Sequence, residues 1–122
     1  MSSRPRGGDE VVVRRFATAC GAGSVGALRS LLTPDAVAIS DGGGKVTAAL
    51  RPVRGADAVA RCLTELGVES GTAFTVEAVN GQAGVVLRRS GEVFAVMSMR
   101  VTGAKVAAVW IVLNPDKLRH WL

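Results

Sequence analysis

The chain contains no tyrosine, three phenylalanines, two tryptophans, one histidine and two cysteines in 122 residues. So few aromatics leave the core to be built from Val, Ala and Leu. They also argue against a nucleic-acid surface, because that needs aromatic side chains interleaved with a basic stripe. The net charge is +5, but Arg4 and Arg6 lie in the first residues and the other basic residues are scattered, with no Lys/Arg block. Direct nucleic-acid binding is therefore not expected. Cys20 and Cys62 have no CxxC spacing, which gives neither a disulfide framework nor a zinc site. Each falls on the apolar side of an expected helix, where a buried free thiol is the usual outcome. No apolar run approaches a membrane span. The arginine-bearing N-terminus has no apolar core segment of the kind a signal peptide carries. A reducing cytoplasm is the expected location. Nucleophile elbow, phosphate loop and metal cluster are all missing, so no cofactor and no metal are expected.

Apolar residues make up 48% and charged residues 20%, the composition of a globular domain. Residues 1–8, with Pro5, Gly7 and Gly8, read as a disordered tail, and residues 9–122 as one domain. Asp9 and Glu10 place negative charge where a helix begins. Val12, Phe16 and Cys20 recur at helical spacing to about Cys20, and Gly21 and Gly23 close that helix. Ser24 caps a second short helix carrying Leu28, Leu31 and Leu32, which ends at Thr33-Pro34-Asp35. Residues 36–40 and 46–50 read as a hairpin, and Arg51-Pro52-Val53-Arg54-Gly55 as a break. A third helix follows, with Val59, Cys62, Leu63 and Leu66 on its apolar face and Gly67 after its end.

The rest reads as a meander of strands at 74–79, 84–89, 93–101 and 105–114. Its turns are Asn80-Gly81, Ser90-Gly91 and Thr102-Gly103. Helices come early and antiparallel strands late, which implies an α+β fold: a strongly bent, mixed or antiparallel sheet with three helices in the N-terminal half. Parity puts Val93, Ala95, Met97, Met99 and Val101 on one face of their strand, opposite Phe94, Val96 and Ser98. In the last strand it groups Val106, Ala108, Trp110, Val112 and Asn114, opposite Ala107, Val109, Ile111 and Leu113. Both faces are apolar. The chain's own helices cover one, so a homodimer packed sheet to sheet is expected to cover the other. Ile111 is the position to test if its parity faces the partner.

Asp41-Gly42-Gly43-Gly44-Lys45-Val46 holds three consecutive glycines between opposite charges. As local chemistry this is either a hairpin loop or a rigid recognition loop.

The element order, ending in Gly-x-(apolar)-x-x-x-Trp, resembles the NTF2-like superfamily and, within it, SnoaL-like domains, over roughly residues 9–114. The resemblance implies a cone whose curved sheet wraps a pocket closed by the helices. A sharper resemblance rests on two motifs: Asp41-Gly42-Gly43-Gly44-Lys45-Val46, with Arg51-Pro52-Val53-Arg54-Gly55 soon after it, and Asn114-Pro115-Asp116-Lys117-Leu118. Together they look like the SnoaL-like C-terminal extension of sigma-J-like extracytoplasmic-function sigma factors. That resemblance implies a regulatory domain that contacts sigma core domains through these motifs. The chain starts at its own methionine, with no sigma region 2 or region 4 ahead of it and no Trp-Leu-Pro-Glu-Pro linker. It is therefore expected to be an excised domain or a free-standing relative.

Two classes of function follow. One is a non-catalytic regulatory or partner-binding module, with Asp41 to Lys45 and Asn114 to Leu118 forming one surface. In that surface Asp41 or Asp116 pairs with Lys117 or Lys45, an exposed contact contributing about 0–1 kcal/mol. The other is a small SnoaL-like enzyme, an isomerase, polyketide cyclase or epoxide hydrolase, whose pocket takes a small apolar ligand and is lined by Trp110, Asn114, Arg51 and Arg54. Asn114 is an amide where such enzymes often carry an acid, and an amide cannot serve as a general base near neutral pH. Asp41 is then the best catalytic candidate. The shortage of paired acid and base groups favours the first class. Glu65, Glu69, Glu77 and Glu92 read as solvated charges.

Overall fold

The computed structural model describes residues 7–41, 52–66, 71–79 and 81–112. The expected strand at 46–50, the glycine run, Arg51, Gly67 and the Asn114–Leu118 motif lie outside these residues.

Helix α1 spans Gly7–Ala22, with Asp9 and Glu10 in its first turn. Val12, Val13, Phe16, Ala17, Ala19 and Cys20 are buried along one side, as their spacing requires. Its end is set by Gly23, whose φ of 66° suits a residue without a Cβ. The Gly23 amide donates to the Cys20 carbonyl at 3.1 Å, and the Ser24 amide to Ala19 at 3.2 Å. This double bond satisfies carbonyls that the last turn leaves open. Ser24 then caps α2 (Val25–Leu31), its hydroxyl accepting from the Ala27 amide at 3.1 Å. Strand β1 runs Leu32–Asp41. Leu32 therefore belongs to the strand rather than to the helix that the leucine spacing suggested. Strand β2 is Val53–Arg54, within the stretch expected to break the pattern. Gly55 (φ 99°) donates to the Ala36 carbonyl at 2.8 Å and leads into α3, Ala56–Leu66. Strands β3 (Thr72–Val79), β4 (Gln82–Arg89), β5 (Glu92–Thr102) and β6 (Lys105–Val112) complete the chain.

The six strands form one open sheet in the order β2-β1-β6-β5-β4-β3. Every pairing is antiparallel except one: β1 lies parallel to β6. The fold is thus α+β with a mixed sheet and three helices against one face. The helix side holds the main core, where Phe16, Leu28, Leu63, Leu87, Met97, Val109 and Ile111 are among its buried members. On the opposite face a smaller cluster joins Val79, Val86 and Val96, with Val93 and Val112 against it.

Simple alternation misassigns three residues. Leu87 pairs with Ala95 but Arg88 with Val93, leaving Phe94 as an inserted residue. Arg100 pairs with Ala108 but Val101 with Val106, leaving Ala107 inserted. Each bulge inverts parity beyond it. Val93 therefore joins the outer cluster, Phe94 packs against the main core, and Val106 is buried with the helices.

Candidate functional site

The parallel pairing of β1 with β6 brings the ends of these two strands side by side. Register runs Val37 to Ala108, Ala38 to Val109, Ile39 to Trp110, Ser40 to Ile111 and Asp41 to Val112. Both strands point the same way and stop at the same level. Gly42 follows Asp41 directly, and Asn114 is two residues beyond Val112. Two residues of chain reach at most about 7 Å. Asp41 and Val112 therefore lie side by side at one end of the sheet, although the sequence separates them widely. An antiparallel arrangement of these two strands would have sent the segments that follow them in opposite directions.

From that end of the sheet a register row runs across five strands, with Asp41, Val112, Val96, Val86 and Thr75 as successive partners. At its far end stands a fixed polar group. Arg88 donates to Glu77 Oε2 at 2.6 Å and to Thr75 Oγ1 at 3.1 Å, and the Thr75 hydroxyl donates to the same Glu77 oxygen at 2.7 Å. The Arg88 guanidinium, helped by the Thr75 hydroxyl, holds the Glu77 carboxyl below its ordinary range. Glu77 is thus an anchored, half-exposed ion-pair partner rather than the free solvated charge its sequence context suggested. The spacing signal was available, since Thr75, Glu77 and Arg88 come together once β3 and β4 are paired through Asn80-Gly81.

Trp110 lies between Val109 and Ile111, both in the helix-side core, and so occupies the other face. It is 39% exposed, with Ile39 and Ser98 as register partners. The structure places it on the sheet's outer surface, not among the side chains that meet the helices. Arg54 is exposed on β2, opposite Val37. It joins neither Trp110 nor Asp41 in register. Arg51, Gly42 to Lys45 and Asn114 to Leu118 lie outside the described residues.

The helix-side face carries Val85, Leu87, Ala95, Met97, Met99, Val109 and Ile111, all buried. Among the described residues, the titratable group of the buried core is the Cys20 thiol, which burial pushes up to about 12. A neutral thiol in an apolar setting is a packing element. No group of three or more His, Cys, Asp or Glu among the described residues is placed to hold a metal.

No model of a known protein family matches the chain. The chain is 34% identical to the ECF RNA polymerase sigma factor SigJ of Mycobacterium tuberculosis, over 96% of its own length and 41% of SigJ. It thus spans about two fifths of the relative it matches. The crystal structure of that SigJ superposes with a TM-score of 0.71 at 30% identity, covering 93% of this chain and 44% of SigJ. An NTF2-like protein of unknown function from Mesorhizobium loti gives a TM-score of 0.63 at 17% identity, covering 88% of this chain and 91% of its own. A steroid delta-isomerase from Pseudomonas aeruginosa gives 0.66 at 19% identity, covering 95% and 86%. At such identities the last two speak to the fold. The chain has the NTF2-like cone fold, and the resemblance to sigma-J-like factors carried by its motifs is borne out. No helix among the described residues is long and apolar enough to cross a membrane.

Proposed function

We propose that this chain is a non-catalytic, cytoplasmic regulatory module, and that it binds sigma-factor core domains at the end of the sheet where β1 and β6 stop. The observation that carries this reading is the parallel register pair Asp41–Val112. It supports a common point of departure for Asp41 to Lys45 and Asn114 to Leu118, as partner recognition by two separated motifs would need. Similarity to SigJ supplies the class of partner. The apolar, close-packed helix side of the sheet supports the same reading, since acid–base chemistry needs a titratable pair within hydrogen-bond reach.

The test is titration calorimetry of the chain against a polypeptide carrying the two core domains of a sigma-J-like factor. Gly43→Val, because a β-branched residue resists the backbone shapes glycine allows, and Lys117→Glu, by loss of a charge-assisted hydrogen bond, should each weaken binding by at least about tenfold, with little change in melting temperature. Absence of binding by the unaltered chain would remove the sigma partner. Binding that neither substitution affects would remove this end of the sheet as its site.

Self-association is a second reading, favoured by one observation: Trp110 is exposed in the middle of a strand, beside the half-buried Ile39 and Val112. A second copy laid on the outer face would cover it. Position 111 cannot test this, because Ile111 is buried with the helices. The partner-facing position is 110.

A further inference from the structure

The sheet's two edges are unlike. One ends in β2, two residues long and preceded by Pro52. The other is β3, eight residues with no proline and no lysine. Natural edge strands are usually blunted by shortness, proline or lysine because their outward N–H and C=O groups invite another strand. On β3 these guards are missing. Beyond its ladder to β4, no described hydrogen bond uses a backbone group of residues 73–79.

A groove runs beside this edge. Its wider part, about 460 Å³, lies between α1 and β3, with Ala17, Thr18, Phe74 and Val76 in its walls. A narrower part, about 190 Å³, continues past Val76 and Ala78 toward Gln82. Arg14 and Val76 line both, so the two adjoin along the strand. Phe74 and Val76 are only half-buried. They sit two residues apart, the spacing at which an added strand presents its own side chains.

We infer that the β3 edge is a docking site for an extended, uncharged peptide segment of a partner protein. The segment adds a seventh strand and places alternate apolar side chains in the groove against α1. Two observations choose this occupant. The edge is a strip roughly 26 Å long and 5 Å wide, far below the roughly 800 Å² per partner that a stable pair of folded proteins buries. The charges along it also cancel within the chain: Glu10 holds Arg14 at 2.6 Å and Glu77 holds Arg88 at 2.6 Å. A segment with its own charges finds no free opposite charge in these two pairs, whereas a neutral one leaves both intact. Main-chain hydrogen bonds supply affinity and the alternate pockets supply selectivity. The site is separate from the strand ends at Asp41 and Val112, because β3 and β1 stand four strands apart in the sheet.

The probe is a blocked, fluorescein-labelled Val-Thr-Val-Thr-Val-Thr peptide on a polyethylene glycol linker, titrated against the 122-residue chain by fluorescence anisotropy. Two further versions carry N-methyl groups on the odd or on the even residues. An added strand bonds through alternate amides only, so one methylated version should bind at least about tenfold more weakly and the other should match the parent. Hydrogen exchange should show new protection confined to residues 73–79. Equal binding by all three peptides would mean apolar adsorption and would overturn the inference. So would absence of parent binding at millimolar concentration. Protection of 73–79 in the chain alone, rising with its concentration, would make a second copy the occupant and overturn it likewise.

Discussion

On β6, Ile111 is 1% exposed and its neighbour Trp110 is 39% exposed. The two faces of this sheet are built from similar apolar residues, yet they answer to different constraints. The helix side is filled by α1, α2 and α3, and each side chain there is fixed by its neighbours. The outer side holds a smaller cluster around Val86 and Val96 with Trp110 left over. An apolar strand with both faces buried in its own domain would show no such difference. What it teaches is that the large exposed residue, not the mean hydropathy, marks the face that is available to a partner.

The sharpest way to break this comparison is a pair of adjacent substitutions. Ile111→Lys should cost more than about 4 kcal/mol, the range reserved for charges buried without a partner, and leave little folded chain in a denaturant titration. Trp110→Lys should change stability by less than about 1 kcal/mol and should keep the chain monomeric in sedimentation at concentrations where the unaltered chain associates. If the two lysine variants are equally destabilised, the faces are not distinct. If the unaltered chain is monomeric throughout, self-association through Trp110 is wrong.

Gly84 sharpens the picture, because the outer face is tight at one place. A Cβ there would lie 2.7 Å from the Met97 carbonyl oxygen and 2.7 Å from a Val79 methyl. Gly84→Ala should therefore destabilise by about 1–3 kcal/mol, the usual cost of overpacking, measured by the same titration. A neutral result would show that β4 can shift and that the outer cluster is looser than its burial indicates.

The smallest expected effect is electrostatic. Asp57 on α3 accepts from Arg61 at 2.8 Å and from Arg29 on α2 at 3.1 Å, and these bonds lower its pKa from 3.8. A carboxylate with a depressed folded-state pKa stabilises above its unfolded value, and that contribution is lost as pH falls through the folded one. The melting temperature should thus drop slightly more between pH 5 and acid in the unaltered chain than in Asp57→Asn, and salt should shrink the gap because the group is exposed. Identical acid profiles would leave this α2–α3 contact without energetic weight.

Much of this architecture is legible in the residues. Val12, Phe16 and Cys20 mark α1, Ser24 marks its successor, and Gly81, Gly91 and Gly103 mark the three turns of the meander. Parity fails where bulges insert Phe94 and Ala107, because a bulge depends on the partner strand and leaves no periodic trace. Val53–Arg54 escapes for a related reason: a two-residue strand is defined by β1 beside it, not by any pattern of its own. The parallel contact of β1 with β6 is equally invisible, since nothing local in Val37 to Asp41 names a partner so far along the chain. The candidate motifs were readable only through resemblance, and the side-by-side ends of β1 and β6 only through that register.

The pairing of β1 with β6 also imposes an order of events. The hairpins from β3 to β6 close over short distances, whereas Asp41 meets Val112 only after β2, α3 and β3 to β5 have been made. Loop-closure entropy rises only slowly with length, so the step is affordable, but it comes late. A chain emerging from the ribosome has no such pair of strand ends to offer until β6 has been made. Under the proposed function, a partner that reads both strand ends at once is blind to copies that stop before β6.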